Sequence, residues 1–247
     1  MEFCFKWFCC YFRIVINIYI NLFKFKKLFL INNFFFHFLR GREFRKKYKD
    51  FLKQYNLFYE RMSHGKIYFN EWNGKNILFS IYMGSNDIND INFIYNNRTI
   101  NENINYIVDI IFDIIECIKK IGGNNFLIIN IPPFDKAPVN SKNKYNYFID
   151  EIFFFNNLLN KKAEVLYKKY KHINIIIYNI NNEYKYIMKN YKKYNFISRN
   201  NAWKLSTNKV FSNLDDYFWR DNTHISNKAN RIIAEDINEL LISLNKN

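Results

Sequence analysis

Two rhythms of apolar residues alternate along the chain. Residues 77–82, 126–131 and 173–180 are short, nearly unbroken runs of Ile, Leu, Phe and Tyr, the pattern of strands covered on both faces. Elsewhere apolar positions recur at every third or fourth residue, which turns them onto one side of a helix. Residues 43–59 do so through Phe44, Tyr48, Phe51, Leu52 and Tyr55. A second helix carries Ile104, Ile107, Val108, Ile111, Ile114, Ile115 and Ile118. A third, over residues 145–170, turns Phe148, Ile152, Phe155, Leu159 and Leu166 inward. Residues 183–191 read as a fourth, followed by a long loop to Arg220. The last helix presents Ile233, Ile237, Leu240, Leu241 and Leu244.

The ends of these elements carry their own signals. Thr99 and Glu102 have the spacing of a capping box, in which hydroxyl and carboxylate exchange bonds with the backbone of the first turn. Lys119 and Lys120 suit the negative end of the same helix, and Gly122 and Gly123 stop it. Pro132 and Pro133 close the strand before them, and Ser226 is an N-cap for the last helix.

Strands alternating with helices imply a parallel sheet with right-handed crossovers, so the expected class is α/β. The expected architecture is a three-layer α/β/α sandwich of flavodoxin-like type. Residues 41–247 read as one such domain, incomplete at its N-terminal side. Residues 1–40 do not match it: they are dense in Phe, Ile and Leu, yet Lys6, Arg13, Lys24, Lys26 and Lys27 interrupt them. The longest run without charge, residues 14–23, holds Asn17 and Asn21 and falls short of the about 20 apolar residues that cross a bilayer. Glu2 replaces the basic start of a signal peptide, and no small-residue cleavage site follows. The segment is expected to be either AT-rich sequence read as protein or a membrane-surface anchor, the first being preferred.

Composition narrows the function classes. Apolar residues make up 49% and aromatic ones 20%, which excludes a disordered chain. The net charge of +15 would suit nucleic acid. The lysines are scattered among Asn, Tyr and Ile, however, and a gene biased towards A and T accounts for all of these residues, so no nucleic-acid partner is expected. Cys4, Cys9 and Cys10 lie in the N-terminal segment, and Cys117 falls at a helical position that suits a small core residue. His37, His64, His172 and His224 are isolated from one another, so neither a metal nor another cofactor is expected. Asn97-Arg98-Thr99 is a glycosylation sequon in a loop.

The chemistry concentrates in two stretches. Leu78-Phe-Ser-Ile-Tyr-Met-Gly-Ser-Asn-Asp-Ile-Asn-Asp90 is a strand that breaks at Gly84 into the polar turn Ser85-Asn86-Asp87. Small polar groups at the carboxyl end of a strand are where open α/β sheets bind ligands. Tyr217-Phe-Trp-Arg-Asp-Asn-Thr-His224 sets a carboxylate three residues before an imidazole, just ahead of the last helix. An Asp at that distance can hold a His through Nδ1 and leave its other nitrogen to take a proton. Together these stretches resemble the SGNH (GDSL-type) hydrolases, in particular fungal carbohydrate esterases of that superfamily. Leu127-Ile-Ile-Asn-Ile-Pro-Pro-Phe-Asp-Lys-Ala-Pro138 resembles that family's next strand and proline-rich loop, and the resemblance runs over residues 75–244.

The resemblance implies hydrolysis of carboxylic esters, here of acylated carbohydrate, by a secreted enzyme without cofactor. Gly84 and Asn86 match the oxyanion hole, and Asp221 and His224 the terminal acid and base. Ile225-Ser226 stands where the family has Pro-Thr. The nucleophile has no match: neither Gly-Asp-Ser nor Gly-x-Ser-x-Gly occurs in the sequence. Ser80 falls inside a strand, Ser85 in the oxyanion turn and Ser141 at a helix entrance, while Ser63 is a weak substitute beside His64 and Gly65. Loss of a serine nucleophile costs on the order of a million-fold in turnover. The expectation is therefore an impaired or inactive esterase relative, with a non-catalytic carbohydrate-binding protein and a protein anchored to membranes through residues 1–40 as alternatives. The family's first strand, which lies beside the strand ending at Gly84, is also missing or replaced. Either residues 14–20, high in β-propensity, fill that gap, or the chain is poorly stable alone.

Overall fold

The structure, a computed structural model, describes residues 27–32, 51–91, 97–140, 148–203 and 213–244. These form two compact units. The first holds the described residues between 24 and 131 and between 150 and 178; the second holds those between 132 and 149 and from 179 onward.

In chain order the first unit contains β1 (Lys27–Asn32), α1 (Phe51–Met62), β2 (Ile77–Tyr82), the short α2 (Ser85–Asn89), α3 (Ile100–Lys120), β3 (Asn125–Ile129), α4 (Ile149–Lys169) and β4 (Asn174–Tyr178). The strands form one all-parallel sheet in the order β1-β2-β3-β4. The class is α/β, as the alternation of strands and helices requires. The position beside β2 is filled by β1, with Lys27 opposite Ile77 and Asn32 opposite Tyr82. This corrects the expectation for residues 14–20, which lie outside the described residues. The run Leu28-Phe-Leu-Ile31 has the length of a strand, but three lysines just before it hide it in the basic segment.

Along β3 every residue is buried, and along β2 all but Tyr82. Phe79 and Phe126 are register partners and stack with centroids 5.5 Å apart; the rings of Phe58 and Trp72 meet Phe79 edge-on. Trp72 also donates through Nε1 to the Met62 carbonyl at 2.7 Å. β4, at the end of the sheet, is only half-covered at Ile175, Ile176 and Ile177, against the expectation of two buried faces. β3 starts one residue earlier than predicted, because the polar Asn125 is accommodated in the interior. Its amide donates to the Gly74 and Ile77 carbonyls at 2.6 and 2.9 Å and accepts from Asn174 at 2.7 Å.

The inward face of α1 is Phe51, Phe58 and Met62, while Leu52 is 50% exposed. Positions 51, 58 and 62 align along the helix, and residue 52 is turned away from them by about 100°. Phe44 and Tyr48 lie outside the described residues. α3 carries the predicted capping box, and all seven predicted apolar positions are buried. Thr99 of the sequon thereby caps this helix. Cys117 is half-buried rather than part of the core.

The second unit contains α5 (Ile180–Lys189), β5 (Ser198–Ala202), β6 (Tyr217–Trp219) and α6 (Asn227–Leu244). α5 starts three residues before the predicted position because Asn179 caps it, accepting from the Asn182 N–H at 3.0 Å. The predicted loop to Arg220 holds β5 and β6, paired in parallel. Ser-Arg-Asn-Asn-Ala has no apolar run, and β6 spans three residues, so neither strand announces itself in the sequence. Phe218 gathers the rings of Tyr184, Phe196 and Trp219 edge-on around it. Ser226 caps α6, accepting from the Ala229 N–H at 3.2 Å. Ala229, Ile233, Ala234, Ile237 and Leu241 form the buried face, whereas Leu240 is half-exposed and Leu244 exposed. Among the described residues no helix is long and apolar enough to cross a membrane.

Candidate functional site

The predicted site residues fall in both units: Gly84 and Asn86 in the first, Asp221 and His224 in the second.

β2 ends at Gly84, whose φ of 100° lies in the left-handed region. Glycine is needed there for a second reason, since a Cβ would collide with the Phe155 ring of α4. The chain then enters the single helical turn α2 rather than the open polar turn expected. Ile88 donates to the Gly84 carbonyl at 2.9 Å and Asp90 to the Asn86 carbonyl at 3.0 Å. The turn buries Ser85 and Asp87, leaves Asn86 half-exposed and turns Asn89 out to solvent. Burial around the Tyr82 phenol pushes it up to about 12.

The strand next to it is held from the same helix. Asn156 of α4 accepts from the Ile131 N–H at 2.9 Å and donates to the Ile131 carbonyl at 3.0 Å. One amide thus satisfies both backbone groups of the residue before Pro132. No periodicity in the sequence marks Asn156, which occupies a core position of the helix.

Ser63 is not a nucleophile candidate in this geometry. It is buried just after Met62, the residue whose carbonyl holds Trp72. The ring of its neighbour His64 packs edge-on against Phe69, 4.8 Å between centroids. Ser80 lies fully buried within β2, and Ser141 lies outside the described residues.

In the second unit, Asp221 and His224 lie on a tight loop between β6 and α6. Trp219 and Ile225 form an antiparallel bridge across its base. The His224 carbonyl accepts from the backbone N–H groups of Arg220 and Asp221, at 2.8 and 3.3 Å. The Ser226 N–H donates to the Phe218 carbonyl at 2.8 Å. The closed loop brings His224 Nδ1 to 2.8 Å from Asp221 Oδ1. The same oxygen accepts from the backbone N–H groups of Thr223 and His224, at 3.1 and 2.9 Å. Burial pulls the Asp221 carboxyl up, but the hydrogen bond from His224, the Thr223 N–H and the imidazole charge outweigh it. The group is held well below the usual carboxylate range.

The His224 side chain is 57% exposed, and its Nε2 has no hydrogen-bond partner among the described residues. A proton on Nδ1 directed at Asp221 leaves the Nε2 lone pair facing outward, the arrangement of a general base. The hydroxyl bonded to this imidazole is that of Thr223, 3.0 Å from Nδ1 rather than Nε2. Two neighbours of the pair escape the sequence reading. Arg220 places Nε and Nη2 at 3.3 and 3.2 Å from Asp221 Oδ2. Val139, from the segment after the paired prolines, donates to the Asn222 carbonyl at 3.0 Å and ties that segment to the loop.

Among the described residues no cluster of His, Cys, Asp and Glu could hold a metal ion. Comparison of the chain with models of known protein families finds no match, and neither does comparison with curated proteins.

Proposed function

We propose that this chain is a relative of the SGNH (GDSL-type) ester hydrolases that keeps the acid–base pair and lacks the nucleophile. It then turns over esters slowly or not at all. The observation that carries this reading is the 2.8 Å bond between Asp221 and His224 with the opposite ring nitrogen exposed. The left-handed Gly84 at the end of a parallel strand, followed by a half-exposed Asn86, supports it. In this reading His224 Nε2 accepts a proton from the attacking hydroxyl or water, and Asp221 stabilises the imidazolium that forms. On the resemblance alone, Gly84 and Asn86 correspond to the family's oxyanion donors. The substrate is an acylated carbohydrate, on the resemblance alone. The sheet is the middle layer of a flavodoxin-like α/β/α sandwich.

The test is hydrolysis of a short-chain aryl ester. Turnover within about a thousand-fold of the uncatalysed rate, reduced to background by His224→Ala, is expected. Fast turnover that survives His224→Ala would remove the proposal.

A second reading, a non-catalytic binder of the same ligands, is favoured by one contact. The hydroxyl at the imidazole belongs to Thr223 and sits on the wrong ring nitrogen for attack. Saturable binding of an acetylated oligosaccharide with no release of acetate would select it.

A further inference from the structure

We propose that Arg220 is a positioning residue for the Asp221–His224 pair, setting how readily the imidazole takes up a second proton. The inference rests on the acid–base reading of that pair. The two carboxylate oxygens of Asp221 have separate duties. Oδ1 receives His224 Nδ1 and two backbone N–H groups. Oδ2 receives the guanidinium of Arg220 through both Nε and Nη2. The fork holds the carboxylate from the side away from the histidine, so Oδ1 stays directed at Nδ1.

The guanidinium also acts through charge. A carboxylate beside an imidazole favours the imidazolium, which has no lone pair to act as a base. A cation on the other carboxylate oxygen offsets that preference. Arginine stays charged throughout the accessible pH range, so the offset is constant. The Arg220 and Asp221 side chains are 20% and 21% exposed, sheltered enough that the pair is not averaged away by solvent as surface pairs are.

Other charged groups around the loop have partners of their own. Asp135 and Lys136, in the segment bonded to Asn222, pair with each other at 2.9 Å. Lys228 at the start of α6 donates to the Asn195 carbonyl, and Asp216, just before β6, accepts from the Asn213 N–H.

The test is a titration of the His224 ring by heteronuclear NMR in the full chain, comparing the native protein with Arg220→Ala and Arg220→Lys. Arg220→Ala is expected to raise the midpoint by about half a pH unit or more, and Arg220→Lys to restore most of the change. A role in loop closure alone would not distinguish lysine from alanine in this way. Where Arg220→Ala does not fold, Arg220→Gln, which keeps length and hydrogen bonding but removes the charge, carries the same expectation. A midpoint that stays put when the charge is removed overturns the inference. The readout needs no turnover, so failure of the esterase reading shows in the ester assay and failure of this one in the titration.

Discussion

The ring of Phe155 occupies the space that a Cβ on Gly84 would need, so these two residues are packed as a pair across β2 and α4. Gly84→Ala has to bear both the left-handed backbone and the overlap with the ring. The predicted cost is about 2–4 kcal/mol in a urea melt. In a Phe155→Ala background the overlap is gone, and the same substitution is predicted to cost about 1–2 kcal/mol, the backbone part alone. Equal costs in the two backgrounds would show that the ring is not the obstacle.

Acid should weaken the second unit through Asp221. Its carboxyl is held below the usual range in the folded chain and titrates near about 3.9 when unfolded. Between those values the unfolded chain binds more protons, so the stabilisation is complete above about pH 4 and is lost as the pH falls further. Asp221→Asn is predicted to flatten the fall in urea midpoint between about pH 4 and pH 2. An unchanged acid limb would locate the sensitivity elsewhere.

Glu183 has the opposite sign. Burial, with Asp236 nearby, pushes its carboxyl up to about 7. The folded chain then binds more protons than the unfolded chain between about pH 4.3 and that value. Stability therefore declines as the pH rises through this window. Glu183→Gln is predicted to gain on the order of 1 kcal/mol at pH 8, after allowance for screening, and nothing at pH 4. A gain of equal size at both pH values would refute the ionic explanation.

Ser80 is fully buried in β2, and its hydroxyl has no hydrogen-bond partner among the described residues. Ser80→Ala removes a desolvated polar atom at little cost in volume. A gain of about 1 kcal/mol in thermal or urea denaturation is predicted. A loss of that size would reveal a partner for the hydroxyl.

The elements that the sequence made legible are those whose signal is local and repeated. α3 has seven apolar positions in phase and a capping box, and both stand as expected. The Asp-x-x-His spacing likewise predicts its own contact, since three residues in a tight loop leave the two side chains little choice. What escaped was fixed by tertiary partners. β5 is a strand because Ser198 and Ala202 pair with β6, although its residues are polar. Asn156 is a buried amide whose role exists only once Ile131 has been brought to it. Arg220 looked like one more basic residue in a chain of net charge +15. Leu52 faces outward because the line through Phe51, Phe58 and Met62 settled the rotation of α1.

The hydrogen bonds that bring Asp221 to His224 begin and end between Phe218 and Ser226, and Val139 adds one from outside at Asn222. No serine hydroxyl takes part in that closure, since Ser226 contributes its backbone N–H. The geometry of the pair is therefore independent of which side chain would stand at Nε2. On the proposed reading, the pair can outlast the activity it served, held in place by the hairpin that frames it.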